Sequence, residues 1–274
     1  MGARVVLLRD PARAQATVHA LQRVGLEAAC TPLVFTVWPE DTSELKQRVG
    51  ELAAGAYDWL VLTSVTTVKA VHQLLAGVPL PPALQLAAVG TSTAQAAQDL
   101  LGIPPAFTPE VQSAAGLCAQ WRPAPGARIC YPHGDLASST LGSWLAAQPV
   151  HATEATAYRT VADARGLALI DTTPAPADVP VLLPGQLAGH LAGFAAAIFT
   201  APSIVRRFAE LAGGRPEHLA TVAIGQPTAR QLQELGWPVH AIAETPTPEG
   251  LARAAVRALA GISHHEFLAT RTGE

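Results

Sequence analysis

The chain has 274 residues, 49% of them hydrophobic and 14% charged, with a formal net charge of -3. That length fits one large domain or two of about 100–150 residues, and so apolar a composition excludes intrinsic disorder. With 5% aromatics and slight acidity there is neither a basic stripe nor a base-stacking platform, so nucleic acid is not expected as a partner.

Taken in order, residues 5–8 read as a strand and residues 12–24 as a helix closed by Gly25. The apolar run after Arg4 ends at Arg9, too short for a signal-peptide core, and is read as a buried first strand. Residues 28–37 read as one further strand. Residues 59–63 form a strand running into a helix over 65–75. A strand over 86–89 passes through Gly90 into a helix over 93–101, ended by Gly102. Residues 113–121 look helical, 129–131 extended and 139–147 helical. Residues 153–161 alternate β-branched and aromatic side chains and predict a long strand. The Pro/Gly-rich stretch 166–192 reads as an irregular linker. Strands over 197–200, 221–224 and 239–243 follow, each leading into a helix. This alternation predicts parallel sheets covered on both faces.

Internal repetition organises these elements. VLTSVTTVKAVHQLLA from Val61 matches IFTAPSIVRRFAELAG from Ile198, and AAVGTSTAQAAQDLLG from Ala87 matches VAIGQPTARQLQELG from Val222. Thr93 pairs with Thr228, Gly102 with Gly236, Glu110 with Glu244 and Gly116 with Gly250, at offsets of 134 or 135 residues. Residues 4–37 and 128–161 also match, and both end in Thr-Val. We read a duplication giving two similar parallel-sheet α/β lobes joined by a two-stranded β linker. One lobe is discontinuous, over 1–36 and 162–274, and the other is inserted over 39–155. Linker strands are expected over 33–38 and 154–162, with a ligand cleft between the lobes.

Four turns place Thr, Ser or Gly where a strand becomes a helix: Thr63-Ser64, Gly90 to Thr93, Thr200 to Ser203, and Gly225 to Thr228. The first helical turn has free N–H groups and a positive dipole end, which suits carboxylate or phosphate. Ser and Thr are equally the preferred helix caps, so each turn also has a purely structural explanation. Arg9 follows the first strand, where its guanidinium can pair with a carboxylate, an Asp10 partnership being the alternative. His133 reads as a solvated loop residue, and His264-His265-Glu266 as a polar tail rather than metal ligands. Cys30, Cys118 and Cys130 are odd in number and lack CxxC spacing, so neither disulfides nor zinc are expected, and a cytoplasmic location fits. No uninterrupted apolar run of about 18 residues suggests a membrane span. There is no P-loop, GxGxxG, GxSxG or HExxH text. Tyr158 lies on the proposed linking strand, where a phenol can give a proton or hydrogen bond to a leaving hydroxyl. An ordinary strand aromatic is the competing reading.

The segments LTSVTTV, AVGTSTA, FTAPSIVRRF, AIGQPTARQLQELG, AETPTPEGLARA and AYRTV together resemble the uroporphyrinogen-III synthase family over most of the chain. The resemblance implies two α/β lobes joined by a two-stranded ladder. It implies a monomeric lyase, without cofactor or metal, that turns the linear tetrapyrrole hydroxymethylbilane into uroporphyrinogen III. Ring A loses its hydroxyl as water, ring D attacks through its substituted carbon, and a spiro intermediate fragments and re-closes with ring D inverted. Tyr158 matches the family tyrosine implicated in hydroxyl loss. Thr93 and Thr228 match the threonines of its Gly-x-x-Thr turns, and Ser64 and Ser203 its strand-end hydroxyls. The substrate's eight carboxylates suit helix-start amides in a weakly acidic protein. The chain departs from the family's usual text at Gln226-Pro227, at Ala201, and at His133-Gly134-Asp135, where an Arg-rich turn is frequent. The alternative reading is a non-enzymatic, two-lobed small-ligand binding protein.

Overall fold

The computed structural model describes residues 2–269, with side chains over 2–261. In chain order, β1 (Arg4–Leu8), α1 (Gln15–Arg23) and β2 (Glu27–Cys30) are followed by β3 (Phe35–Val37), α2 (Ser43–Ala53), β4 (Trp59–Leu62), α3 (Val65–Leu75), β5 (Gln85–Ala88), α4 (Thr91–Leu101), α5 (Ala114–Gln120), β6 (Arg128–Gly134), α6 (Thr140–Ala146) and β7 (His151–Val161). Then come α7 (Leu187–His190), β8 (Ala196–Phe199), α8 (Pro202–Ala212), β9 (Ala220–Ala223), α9 (Gln226–Glu234), β10 (Ala241–Ile242) and α10 (Pro248–Ala269). The chain divides into two units, Met1–Phe35 with Thr173–Glu274, and Thr36–Thr172. Among the described residues no helix is long and apolar enough to cross a membrane.

The first unit holds a five-stranded parallel sheet in the order β10-β9-β8-β1-β2. Successive strand side chains point to opposite faces, so an all-apolar strand feeds two cores at once. Val5 and Leu7 pack with Val18 and Leu21 of α1 and Leu251 of α10. Val6 and Leu8 pack on the other face with Phe199, Phe208 and Leu232, beneath α8 and α9. Phe199 is fully buried, edge-on to Phe208 at 5.2 Å. Truncating such a residue to Ala costs about 3–5 kcal/mol.

The second unit has a sheet in the order β3-β7-β6-β4-β5, in which β7, β6, β4 and β5 run parallel. Leu60, Leu62 and Leu86 face α2, α3 and α4 through Leu52, Val68 and Ala97. Val61, Ile129 and Tyr131 face α5 and α6 through Leu117, Leu141 and Leu145. Parallel order puts the carboxyl ends of neighbouring strands on one edge of each sheet, where open α/β sheets take their ligands.

The duplication survives at the level of single atoms. A Cβ on Gly116 would stand 2.0 Å from the Val111 carbonyl oxygen, and one on Gly250 would stand 2.1 Å from that of Thr245. Ser113 Oγ accepts from the Gly116 amide at 3.0 Å, and Thr247 Oγ1 accepts from the Gly250 amide at 3.1 Å. The same turn, needing the same missing side chain, therefore opens α5 and α10.

Several boundaries differ from expectation. Residues 28–37 are two strands: the Thr31 amide still donates to the Leu7 carbonyl in the ladder with β1, and Pro32, which has no amide to give, ends the run. Strand β6 extends to Gly134, beyond the expected 131, and β10 covers only two residues. Helix α2 was not foreseen. The strands expected to link the lobes, β3 and β7, both lie in the second unit's sheet. Residues 162–172 also stay with that unit, although the first lobe was expected to resume at 162. The Trp38 amide donates to the Ala168 carbonyl and the Ile170 amide to the Thr36 carbonyl, both at 3.0 Å. Gln73 Nε2 donates to the Ile170 carbonyl at 2.6 Å, and Lys69 pairs with Asp171. Residues 264–266, expected as a polar tail, are helical in backbone at the end of α10, and their side chains lie outside the described residues.

Candidate active site

At the carboxyl edge of the second unit's sheet, β4 delivers Thr63 and Ser64 to the start of α3. Ser64 is extended and caps the helix, its Oγ accepting from the Thr67 amide at 3.1 Å and meeting Thr67 Oγ1 at 2.9 Å. The Thr63 side chain hydrogen-bonds the Tyr131 phenol, whose pKa is pushed up to about 12, chiefly by burial. Both hydroxyls are thus engaged within the protein.

Gly90 is the extended cap position of α4, and Thr93 is buried in the first turn. The seat at this helix start is filled by Gln112, whose Oε1 accepts from the Thr91 amide at 3.1 Å. A Cβ on Gly90 would stand only 2.8 Å from that oxygen. Gln112 carries no local sequence signal, because it comes from the loop before α5.

Between these turns and β3 lie the ends of β6 and β7. His133 is on β6, not in a loop. Its ring stands 4.8 Å from that of Tyr131, Nε2 is 3.1 Å from Glu154 Oε2, and Nδ1 is 2.9 Å from the Gly134 carbonyl oxygen. Its side chain is only 20% exposed, so the solvated-loop expectation fails. The cause is that β6 is longer than its apolar core, and Pro132 did not end it.

Tyr158 is half-buried on β7, packed against the core of Leu45, Val71 and Ala157. The register shifts between His133 and Gly134, so that His133 pairs with Thr156 and Gly134 with Tyr158. The Asp135 amide donates to the Tyr158 carbonyl at 3.0 Å, and the Thr160 amide to Asp135 Oδ1 at 2.9 Å. The structure therefore brings Thr63, Ser64, Gly90, Thr93 and Tyr158 to one edge of one sheet.

The remaining predicted residues gather at the carboxyl edge of the first unit's sheet. Thr200 Oγ1 donates to the Leu8 carbonyl at 2.8 Å, tying β8 to β1. Helix α8 begins without a side-chain cap, since Ala201 occupies that position, followed by Pro202 and then Ser203. Helix α9 likewise starts from extended Gly225 without a side-chain cap, and Thr228 is buried in its first turn. An open cavity of about 550 Å³ adjoins Gly225 and Gln226, with Ile242, Glu244 and Pro246 on its wall. Arg9 is half-buried, and its pKa is lowered by burial and by nearby Arg13. Asp10 is not its ion-pair partner; its Oδ1 accepts from the Ala12 amide at 3.0 Å. The Arg9 carbonyl accepts from Cys30, a buried thiol pushed up to about 12, mainly by desolvation. Among the described residues, no group of three or more His, Cys, Asp or Glu is placed to hold a metal.

Chemically, this edge offers uncapped amides at α8 and α9 and a half-buried guanidinium, all suited to anions. The other unit offers a phenol beside a glycine.

The sequence matches the HEM4 family, uroporphyrinogen-III synthase HemD, over residues 15–253. A solved structure of a mutant uroporphyrinogen III synthase from the extremely thermophilic bacterium Thermus thermophilus is 19% identical. It matches with a TM-score of 0.62, over 95% of this chain and 100% of that one. The uroporphyrinogen-III synthetase of Helicobacter pylori 26695 is 20% identical with a TM-score of 0.54, over 93% of this chain and 99% of that one. A comparison with curated proteins found no match. The two structural likenesses show a shared fold, and the family match spans both units. The chain belongs to the uroporphyrinogen-III synthase family.

Proposed function

We propose that this chain is a hydro-lyase that dehydrates and cyclises hydroxymethylbilane to uroporphyrinogen III with inversion of ring D. The observation that carries this reading is the family match over residues 15–253. The reading includes a monomer acting without a cofactor, as the resemblance implies, and a cytoplasmic location, which the cysteine usage fits.

Tyr158 is assigned the first proton transfer. Its phenol donates to the departing ring-A hydroxyl, which leaves as water, and the ring becomes an azafulvene cation. Ring D then attacks through its substituted carbon, the spiro intermediate fragments, and closure at the other carbon releases a proton that restores the Tyr158 phenol. The protein's further task is to hold a flexible chain with ring D over ring A, which removes an entropic barrier. Substrate carboxylates are assigned to Arg9, to the uncapped helix starts at Ser203 and at Gly225 with Thr228, and to the start at Gly90 with Thr93, where a carboxylate takes the place that Gln112 Oε1 holds. Ser64 caps the neighbouring start of α3 with Thr63 beside it, and Thr200 fixes the end of β8 that leads into α8. This division fits a chain of net charge -3, which cannot attract a polyanion by its overall field.

The test supplies hydroxymethylbilane, oxidises the products and separates type III from type I porphyrin. Excess type III supports the reading. Only the spontaneous type I isomer overturns it.

A further inference from the structure

We infer that Gly134 is a positioning residue for Tyr158, and that the His133-Gly134-Asp135 turn sets where the phenol stands. The inference rests on the role proposed above for Tyr158 and extends it to a residue that touches no substrate.

The case begins with what Gly134 is not doing. It is absent from the glycines with positive φ, so its backbone conformation does not demand glycine. What demands it is contact. A Cβ on Gly134 would stand 2.5 Å from Tyr158 Cζ, 2.7 Å from Cε2 and 2.7 Å from Oη. These distances are well inside van der Waals contact, and every one is to the hydroxyl end of the ring. The phenol therefore lies on the bare face of the Gly134 backbone.

The surrounding bonds fix that backbone from three directions. His133 Nδ1 lies 2.9 Å from the Gly134 carbonyl oxygen, the donor when that nitrogen carries a proton. The Asp135 amide donates to the carbonyl of Tyr158 itself, and Asp135 Oδ1 accepts from Thr160 two residues on. Glu154 holds the far side of the His133 ring, with 3.1 Å from Nε2 to Oε2. The shift of register after His133 brings Tyr158, rather than Ala157, opposite Gly134. Such irregularities re-aim side chains. Ala157 points into the core and is fully buried, which keeps the strand from slipping to relieve a clash. A side chain at 134 must then be accommodated by the ring.

Gly134→Ala should leave the fold intact and move the ring. We expect turnover to fall by about ten- to a hundredfold, the scale of a displacement of about 1 Å at a reacting group, with KM little changed. The test uses the full chain and two readouts. The first is activity in a double-mutant cycle with Tyr158→Phe. If Gly134 acts through the phenol, Gly134→Ala lowers kcat in the parent but adds less than about twofold in the Tyr158→Phe background. An equal loss in both backgrounds, or wild-type turnover of Gly134→Ala, overturns the inference. The second readout is the ring itself, in protein carrying 13C at the tyrosine ζ carbon. There are three tyrosines, assigned by Tyr→Phe variants. Gly134→Ala should shift the Tyr158 signal and leave that of Tyr57 in place; an unmoved Tyr158 signal overturns the inference. Should Gly134→Ala fold poorly, Tyr158→Ala in the same chain removes the obstructing ring and should restore the melting temperature; no restoration counts against it. Wild-type turnover of Tyr158→Phe alone overturns the catalytic role of Tyr158, and the positioning is then decided by the ring signal.

Discussion

Gln112 Oε1 accepts a hydrogen bond from the Thr91 amide at 3.1 Å, so a side chain from a distant loop caps a helix that lacks a cap of its own. The cap is possible because Gly90 leaves the space open. Gln112→Ala should destabilise the protein by about 1 kcal/mol, the usual worth of a helix cap. Gly90→Ala should cost at least as much, because it pushes the carboxamide off the amide. Urea denaturation midpoints measure both. At the matching turn of the first unit, Pro246 offers no such group, so Pro246→Ala should leave the start of α9 unaffected.

The glycines of the duplicated turn give a sharper contrast. Gly116→Ala and Gly250→Ala each drive a methyl into a backbone carbonyl about 2 Å away, and each should cost about 1–3 kcal/mol or more. Gly50 is exposed within α2 and nothing lies within 4 Å of where its Cβ would be. Gly50→Ala should therefore stabilise by about 0.5–1 kcal/mol through helix propensity. Opposite signs for these chemically identical changes, read from melting temperatures, would verify the local geometry.

His240 makes stability depend on pH. Its Nδ1 accepts from the Thr221 amide at 3.0 Å, which requires that nitrogen to be unprotonated. Its pKa is lowered from 6.5, chiefly by burial and then by Arg215. The unfolded chain then binds the proton at a higher pH than the folded one does. The stabilisation is fully present above about 6.5 and is lost as pH falls below that value toward the lowered folded pKa. His240→Gln can still accept from Thr221 but cannot titrate. The wild-type urea midpoint should drop between pH 8 and pH 5.5 by more than that of the variant.

Much of this architecture was legible from spacing alone. The pairs Thr93/Thr228 and Gly116/Gly250 have fixed offsets, and the structure gives each pair the same local role. Apolar runs such as residues 5–8 announced strands buried on both faces. What escaped was set by pairing across the chain. Pro32 divides a continuous β-like run into strands of two sheets, and β6 reaches Gly134 because β7 is there to pair with it. Residues 162–172 have no strand pattern and are held by Gln73, Lys69 and the β3 backbone. Local text gave the helix starts, and it put Tyr158 on a strand where the structure also has one. It misread His133, whose neighbours Tyr131 and Glu154 are brought to it by the sheet, and it missed Gln112 altogether.

Tyr158→Phe isolates the proposed proton donor. General acids contribute about a hundredfold or more, but here the cation and the folded substrate are also held by other groups. Turnover should fall by about ten- to a hundredfold, at or below the lower limit of that range, with the melting temperature within a few degrees of wild type. The ring keeps its packing against the core cluster that includes Leu45 and Val71. Turnover and thermal denaturation of the same preparation check both halves of this expectation.

The most direct measurement for the whole account is the isomer ratio of oxidised products from hydroxymethylbilane, taken with and without the protein. The account predicts a large excess of type III porphyrin with the protein and type I without it. Type I alone in both samples would contradict it.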